Sequence, residues 1–166
     1  MSPTATAGRK VRIGDPLPSV GLRATDGYLL NLRSLVGKQP LILVFFGAPT
    51  LKGAARERGD ALAEALKEAH SRLEKQGVAV VGVTTDNEGQ QLDYVKEMEL
   101  SFLLFSDERR AAVVALGIPT AEVRGNVNAE PTAFAVSVDG AILDIVEQAS
   151  PKGLVARLLE AIFPPG

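Results

Sequence analysis

Residues 41–57 read Leu41-Ile-Leu-Val-Phe-Phe-Gly-Ala-Pro-Thr-Leu-Lys-Gly-Ala-Ala-Arg-Glu57. The run from Leu41 to Phe46 is apolar on both alternating faces, the pattern of a strand buried on both sides. Gly47-Ala48-Pro49 then predicts a tight turn. Lys52-Gly53-Ala54-Ala55 predicts the opening of a helix. A buried strand that turns directly into a helix is the repeating unit of α/β architecture.

Outward from this stretch the chain keeps alternating. In the helix that follows, Leu62, Leu66, Ala69 and Leu73 share one face at the 3.6-residue period, and Gly77 ends it. Val78 to Thr85 is rich in β-branched residues, with apolar side chains on both faces, and predicts a central parallel strand. Asp86 is expected to cap a helix carrying Leu92, Val95 and Met98. Ser101–Phe105 predicts a short strand, and Ser106-Asp107 the cap of a helix running to Leu116-Gly117. Thr132–Val138 and Ala141–Val146 flank Asp139-Gly140, a hairpin signal. Ser150-Pro151 is expected to open a last helix, with Pro151 at its first position and Leu154, Leu158 and Ile162 aimed at the sheet.

Upstream, Val20–Arg23 and Tyr28–Leu32 flank Ala24-Thr25-Asp26-Gly27, another hairpin. The order β-β-β-α-β-α-β-α-β-β-α predicts a three-layer α/β/α fold with a mixed central sheet and an N-terminal hairpin. Residues 11–163 are expected to form a single domain. Residues 1–10 are expected to be a flexible leader and Pro164-Pro165-Gly166 a frayed tail.

Composition narrows the function. At 166 residues and a formal charge of −2, the chain has no basic excess with which to hold nucleic acid. It has no Trp, two Tyr and six Phe, too few for base-stacking platforms. No apolar run approaches the roughly 20 residues of a membrane span. The opening residues lack the apolar core of a secretory signal, so cytoplasm is the expected location. The one histidine, His70, is expected to be an ordinary helix residue near a C-terminus. No carboxylates fall at ligand spacing, so no metal and no cofactor are expected. Glu64–Glu68 and Arg109-Arg110 are expected to be solvated surface. Pro119–Glu130, with Gly125, Asn126 and Asn128, is expected to be a long loop beside the functional end, a place where binding residues gather.

Four segments carry a family resemblance. They are Ile13–Pro18 with Leu22–Leu32; Val44-Phe-Phe-Gly-Ala-Pro-Thr-Leu-Lys-Gly53; Gly77–Asp86 with Phe102-Leu-Leu-Phe-Ser-Asp107; and Pro131-Thr-Ala-Phe-Ala-Val-Ser-Val-Asp-Gly140. In order and spacing the chain resembles the redoxins of the thioredoxin fold, among them the AhpC/TSA peroxiredoxins, over residues 11–162. The resemblance implies a thioredoxin-like fold and thiol peroxidase or disulfide oxidoreductase chemistry. It also implies a homodimer formed near the active-site loop or by sheet edges.

The resemblance breaks at its chemical centre. The family loop Pro-x-x-x-Thr-x-x-Cys keeps its threonine here as Thr50 and has Gly53 in place of the cysteine. In a register one residue later, Ala54 takes that place. The chain contains no cysteine at all. Thr50, Gly53, Ala54 and Pro131 are therefore vestigial active-site positions by resemblance. Pro131 stands where peroxiredoxins place an arginine, and Pro131-Thr132 resembles the cis-proline segment of thioredoxins. A threonine hydroxyl cannot pass through sulfenic acid, and no histidine adjoins it to activate it. Thiol peroxidase activity is expected to be absent. The alternative is residual peroxide or disulfide chemistry that relies on an external thiol.

Two readings of the vestigial loop stay open. In one, the first amides of the helix and Lys52 form an anion pocket with Thr50, Gly53, Arg124, Pro131 and Thr132, for a small anionic ligand or a protein partner. In the other, Thr50 caps the helix and Lys52 is solvated.

Overall fold

Alternation along the central strands assigns each side chain to one of two cores. The computed structural model describes residues 11–24, 28–47, 50–123 and 125–165. Its strands are β1 (Gly21–Ala24), β2 (Leu29–Asn31), β3 (Leu41–Phe45), β4 (Ala79–Thr84), β5 (Leu103–Ser106), β6 (Thr120–Val123), β7 (Asn126–Ala129), β8 (Thr132–Val136) and β9 (Ile142–Glu147). The helices are α1 (Gly53–Lys75), α2 (Glu88–Met98), α3 (Ala111–Leu116) and α4 (Leu154–Ile162).

The seven-stranded sheet has the order β2-β1-β5-β4-β3-β8-β9. Strands β3, β4 and β5 run parallel and the flanking pairs are antiparallel. Ile42, Val44 and Phe46 point to the side covered by α1, α2 and α4, where Leu62, Leu66, Leu73, Tyr94, Leu154 and Leu158 meet them. Leu41, Leu43 and Phe45 point to the side of α3, against Val113, Leu116 and Phe134. A helix layer thus covers each face, and the mixed three-layer sheet with its N-terminal hairpin is as predicted. The turn of that hairpin, residues 25–27, and the leader, residues 1–10, lie outside the described residues. Among the described residues no helix is long and apolar enough to cross a membrane.

Four local expectations need correction. Asp86 does not cap α2. Asn87 does, accepting from the Gln90 amide at 2.8 Å while Gln90 reaches back to the Asn87 amide at 2.9 Å. This reciprocal pair satisfies two free amides at once, which Asp86, one residue earlier, cannot do. Pro151 precedes α4 instead of opening it, because Gly153 turns left-handed at φ +72° and becomes the cap. Pro119–Glu130 is not a loop but the hairpin β6–β7, closed at Gly125 with φ +83°. Its polar Asn126 and Asn128 mask the alternation that marks a strand. Finally, Thr50 does not cap α1; the cap position is Lys52, and its side chain makes no capping bond.

Helices α1 and α2 are locked together by a polar cluster at the edge of their core. The buried Tyr94 hydroxyl donates to Asp60 at 2.7 Å. Arg56 donates to the same oxygen at 2.9 Å, to Glu97 at 2.9 Å, and lies 5.3 Å from the centre of the Tyr94 ring. Burial, followed by the bond to Asp60, pushes the Tyr94 hydroxyl far above its ordinary titration range, so it remains a donor. Tyr94→Phe removes that donor to a charged acceptor and is expected to cost about 1.5 kcal/mol. Urea unfolding would show it as a lower midpoint at an unchanged slope.

Candidate functional site

Three loops leave the carboxyl ends of the parallel strands β3, β4 and β5 side by side, because those strands are neighbours in the sheet. In open α/β sheets this is the edge where ligands gather. The loop after β3 brings Thr50, the loop after β4 brings Thr85, Asp86 and Asn87, and the loop after β5 brings Glu108 and Arg110. The hairpin β6–β7 supplies Gly125, Asn126 and Val127 from the side. Together with Gln90 these residues line a polar cavity of about 260 Å³.

The hairpin is tied to the strand ends by hydrogen bonds. Thr85 donates its hydroxyl to the Val127 carbonyl at 2.7 Å. The Thr50 hydroxyl lies 2.8 Å from Asp86 Oδ1 and 3.2 Å from Asn128 Oδ1. A hydroxyl has one proton, so it serves one acceptor at a time. The shorter, charge-assisted contact to Asp86 is the stronger.

Asp86 is the most confined polar group of the site, with 3 % of its surface exposed. Its carbonyl accepts from Ser106 Oγ at 2.6 Å and its amide donates to Thr84 Oγ1 at 3.3 Å. Thr84 Oγ1 also accepts from the buried Gln91 amide, whose other proton goes to the Phe105 carbonyl. These contacts pin the Asp86 backbone. Of its carboxylate, Oδ1 is held by Thr50, whereas Oδ2 is buried with no partner among the described residues. Asp107 is also buried but fully engaged, accepting from the Ala112 and Val113 amides at the start of α3, although the cap position itself is Arg110 and not the predicted Ser106-Asp107. Burial raises its pKa, and those amide bonds oppose the shift.

The positions predicted as one pocket do not come together. Thr50 lines the polar cavity, but Lys52, Gly53 and Ala54 are exposed beyond it. Pro131 is buried on the other side of Asn128, lining with Leu51, Ala55 and Arg58 a gap of about 40 Å³, scarcely more than one water's share of liquid volume. Its peptide bond is trans, as no described residue has a cis bond. Thr132 is buried and donates to the Glu130 carbonyl at 2.9 Å. Arg124 lies outside the described residues. Among the described residues no group of three or more His, Cys, Asp or Glu side chains could hold a metal. His70 is a helix residue as expected, 3.0 Å from Ser101 Oγ and edge-on to Phe102.

Sequence reasoning missed Asp86, Glu108, Gln90 and Arg110 as cavity residues. The available signal was positional: Thr85-Asp86-Asn87 closes a central parallel strand, where a polar triplet faces the functional edge.

The loop after β3, the strand order and the late hairpin together match a known pattern. The sequence pattern of the AhpC/TSA family fits residues 13–145. The chain belongs to this family. It is 30% identical over 110 residues to a chloroplastic peroxiredoxin Q of Populus jackii, an alignment covering 66% of this chain and 49% of that protein. The chain thus spans about half the length of the plant relative. Among solved structures it is similar to the peroxidoxin BcpB of Mycobacterium tuberculosis, with TM-score 0.77 and 19% identity over 92% of this chain and 96% of that one. A thiol peroxidase from Chromobacterium violaceum superimposes with TM-score 0.71 and 18% identity over 90% and 87% of the two chains. At that level of identity the two structures speak for the fold alone. Within the AhpC/TSA family this chain keeps the thioredoxin-like scaffold yet contains no cysteine.

Proposed function

We propose that this AhpC/TSA-family chain performs no thiol peroxidase chemistry and instead binds a small polar molecule at the carboxyl edge of its sheet. One observation carries the reading. Where the family places its thiol the chain has an exposed Gly53-Ala54, while the neighbouring Thr50 is engaged by Asp86 in the wall of a polar cavity. Peroxide reduction needs a sulfur that cycles through sulfenic acid, and no residue here can do that. The cavity is smaller than a typical drug-sized pocket but larger than the roughly 150 Å³ that accommodates benzene. That volume favours a small molecule over a protein segment.

The first test is peroxide consumption by the purified native chain, with thioredoxin or glutathione as reductant. Turnover is expected to equal that of a heat-denatured control. A rate above the control would overturn the loss of chemistry. The second test is thermal stability in the presence of small molecules of positive, negative and zero charge. At least one charge class is expected to raise the melting temperature by mass action. If none does, the binding role is refuted.

A further inference from the structure

Building on that reading, we propose that the cavity selects its ligand through a protonated amine seated on Asp86. One of the two sequence-based readings places a small anion or a protein partner at the Lys52 loop; the cavity beside it calls for the opposite charge. Asp86 has 3 % of its surface exposed, and its Oδ2 has no hydrogen-bond partner among the described residues. Its other oxygen already holds the only proton that Thr50 can offer. A buried carboxylate oxygen without a donor is destabilising; Oδ2 has almost no accessible surface as placed, so a ligand N–H removes that penalty by drawing the Asp86 carboxylate toward the cavity it lines. An anion at the same point would meet the Asp86 charge at close range with Thr50 already committed.

The rest of the wall agrees. The charged groups lining the cavity are Asp86, Glu108 and Arg110, a net negative set. Asn87 and Gln90 spend their side-chain oxygens on each other's amides in the capping box, so they leave Asp86 to answer the donor. Thr85 gives its hydroxyl proton to Val127. Arg110 is exposed; its charge acts on Asp107 nearby but is within ion-pair distance of no carboxylate among the described residues. It lies at the start of α3, so an amine that also carries a carboxylate would find a cation at the outer wall. The shared chemistry is the ammonium group. Simple amines and amino acids are the two sources.

The experiment is a titration of ¹⁵N-labelled protein at constant ionic strength with butylamine, L-norvaline, butyrate, butanol and inorganic phosphate. Shifts of the Asp86, Asn87 and Gln90 amides are followed. Butylamine or norvaline is expected to saturate these shifts, with butyrate, butanol and phosphate producing none. Asp86→Asn keeps an oxygen for Thr50 but removes the charge, and is expected to weaken amine binding about tenfold or more. Arg110→Gln separates the sources, since it weakens norvaline only if the carboxylate is read at the outer wall.

Butyrate, butanol or phosphate binding in place of the amines overturns this inference but leaves the binding role standing. Amine binding that Asp86→Asn does not change overturns it too. Silence from every probe overturns it, and the thermal screen across charge classes then decides whether the binding role falls as well. The comparison among probes on the unmodified protein stands even if Asp86→Asn does not fold.

Discussion

Gly59→Ala is expected to destabilise the protein by about 3 kcal/mol, or to prevent recovery of soluble protein. Gly59 lies in the second turn of α1, on the face packed against the end of β3. A Cβ built there would sit 1.9 Å from the Gly47 carbonyl oxygen and 3.2 Å from its carbon. Both are backbone atoms, so no rotamer change relieves the contact, and the helix or the strand end must move. Alanine gains up to about 1 kcal/mol over glycine in helix propensity, which offsets only part of that strain.

Gly89→Ala in α2 is the control. A Cβ there meets only Asn87 Oδ1 at an ordinary 3.5 Å, so the propensity gain is expected to appear as a slight stabilisation. Denaturant unfolding of the pair would measure both. Equal stability of Gly59→Ala and the native chain would mean that α1 does not approach Gly47 so closely. The consequence reaches the functional end, because Gly47 leads into the loop that carries Thr50.

Gly53→Cys and Ala54→Cys are each expected to place a titratable thiol on the protein without restoring peroxide reduction. Gly53 has φ +63°, a left-handed conformation that costs an L-residue about 1–2 kcal/mol, so cysteine enters there under strain. Position 54 accepts a side chain but leaves it exposed. Neither thiol gains the threonine hydroxyl, which is engaged by Asp86 in the cavity wall. Nor does the late strand β8 itself carry a cation, although Arg58 of α1 lines the gap beside Pro131. Reaction with a thiol reagent would confirm accessibility. Peroxide consumption per thiolate is expected to stay within about tenfold of free cysteine. Consumption a thousandfold faster would show a site intact except for its sulfur, and the engagement of Thr50 by Asp86 would then be irrelevant to catalysis.

Much of the scaffold is legible in the chain because it depends on short-range pattern. Leu41–Phe46 and Val78–Thr85 are apolar on both faces, and they form the two innermost parallel strands. Leu62, Leu66, Ala69 and Leu73 fall on one helical face and are all buried. The candidate site is legible only in fragments. Thr50, Asn126 and Asn128 attract notice from sequence, but the partners of Thr50 do not. Asp86 and Asn87 are both good capping residues, so local propensity cannot choose between them. The choice is made by a threonine 36 positions earlier that engages the aspartate and leaves the cap to the asparagine. Lys52 and Gly53 look like an anion site in isolation, yet the chain turns them outward while Leu51 is buried beneath them.

Two conclusions needed no coordinates: an α/β scaffold, and the absence of any cysteine thiol. Both follow from side-chain periodicity and composition, which are properties of neighbouring residues and simple counts. The engagement of Asp86 by Thr50, the folding of residues 120–129 into a hairpin beside them, and the separation of Pro131 from the cavity depended on the folded chain. Those contacts join residues 36 and 78 positions apart, and their meeting is set by which strands lie side by side in the sheet.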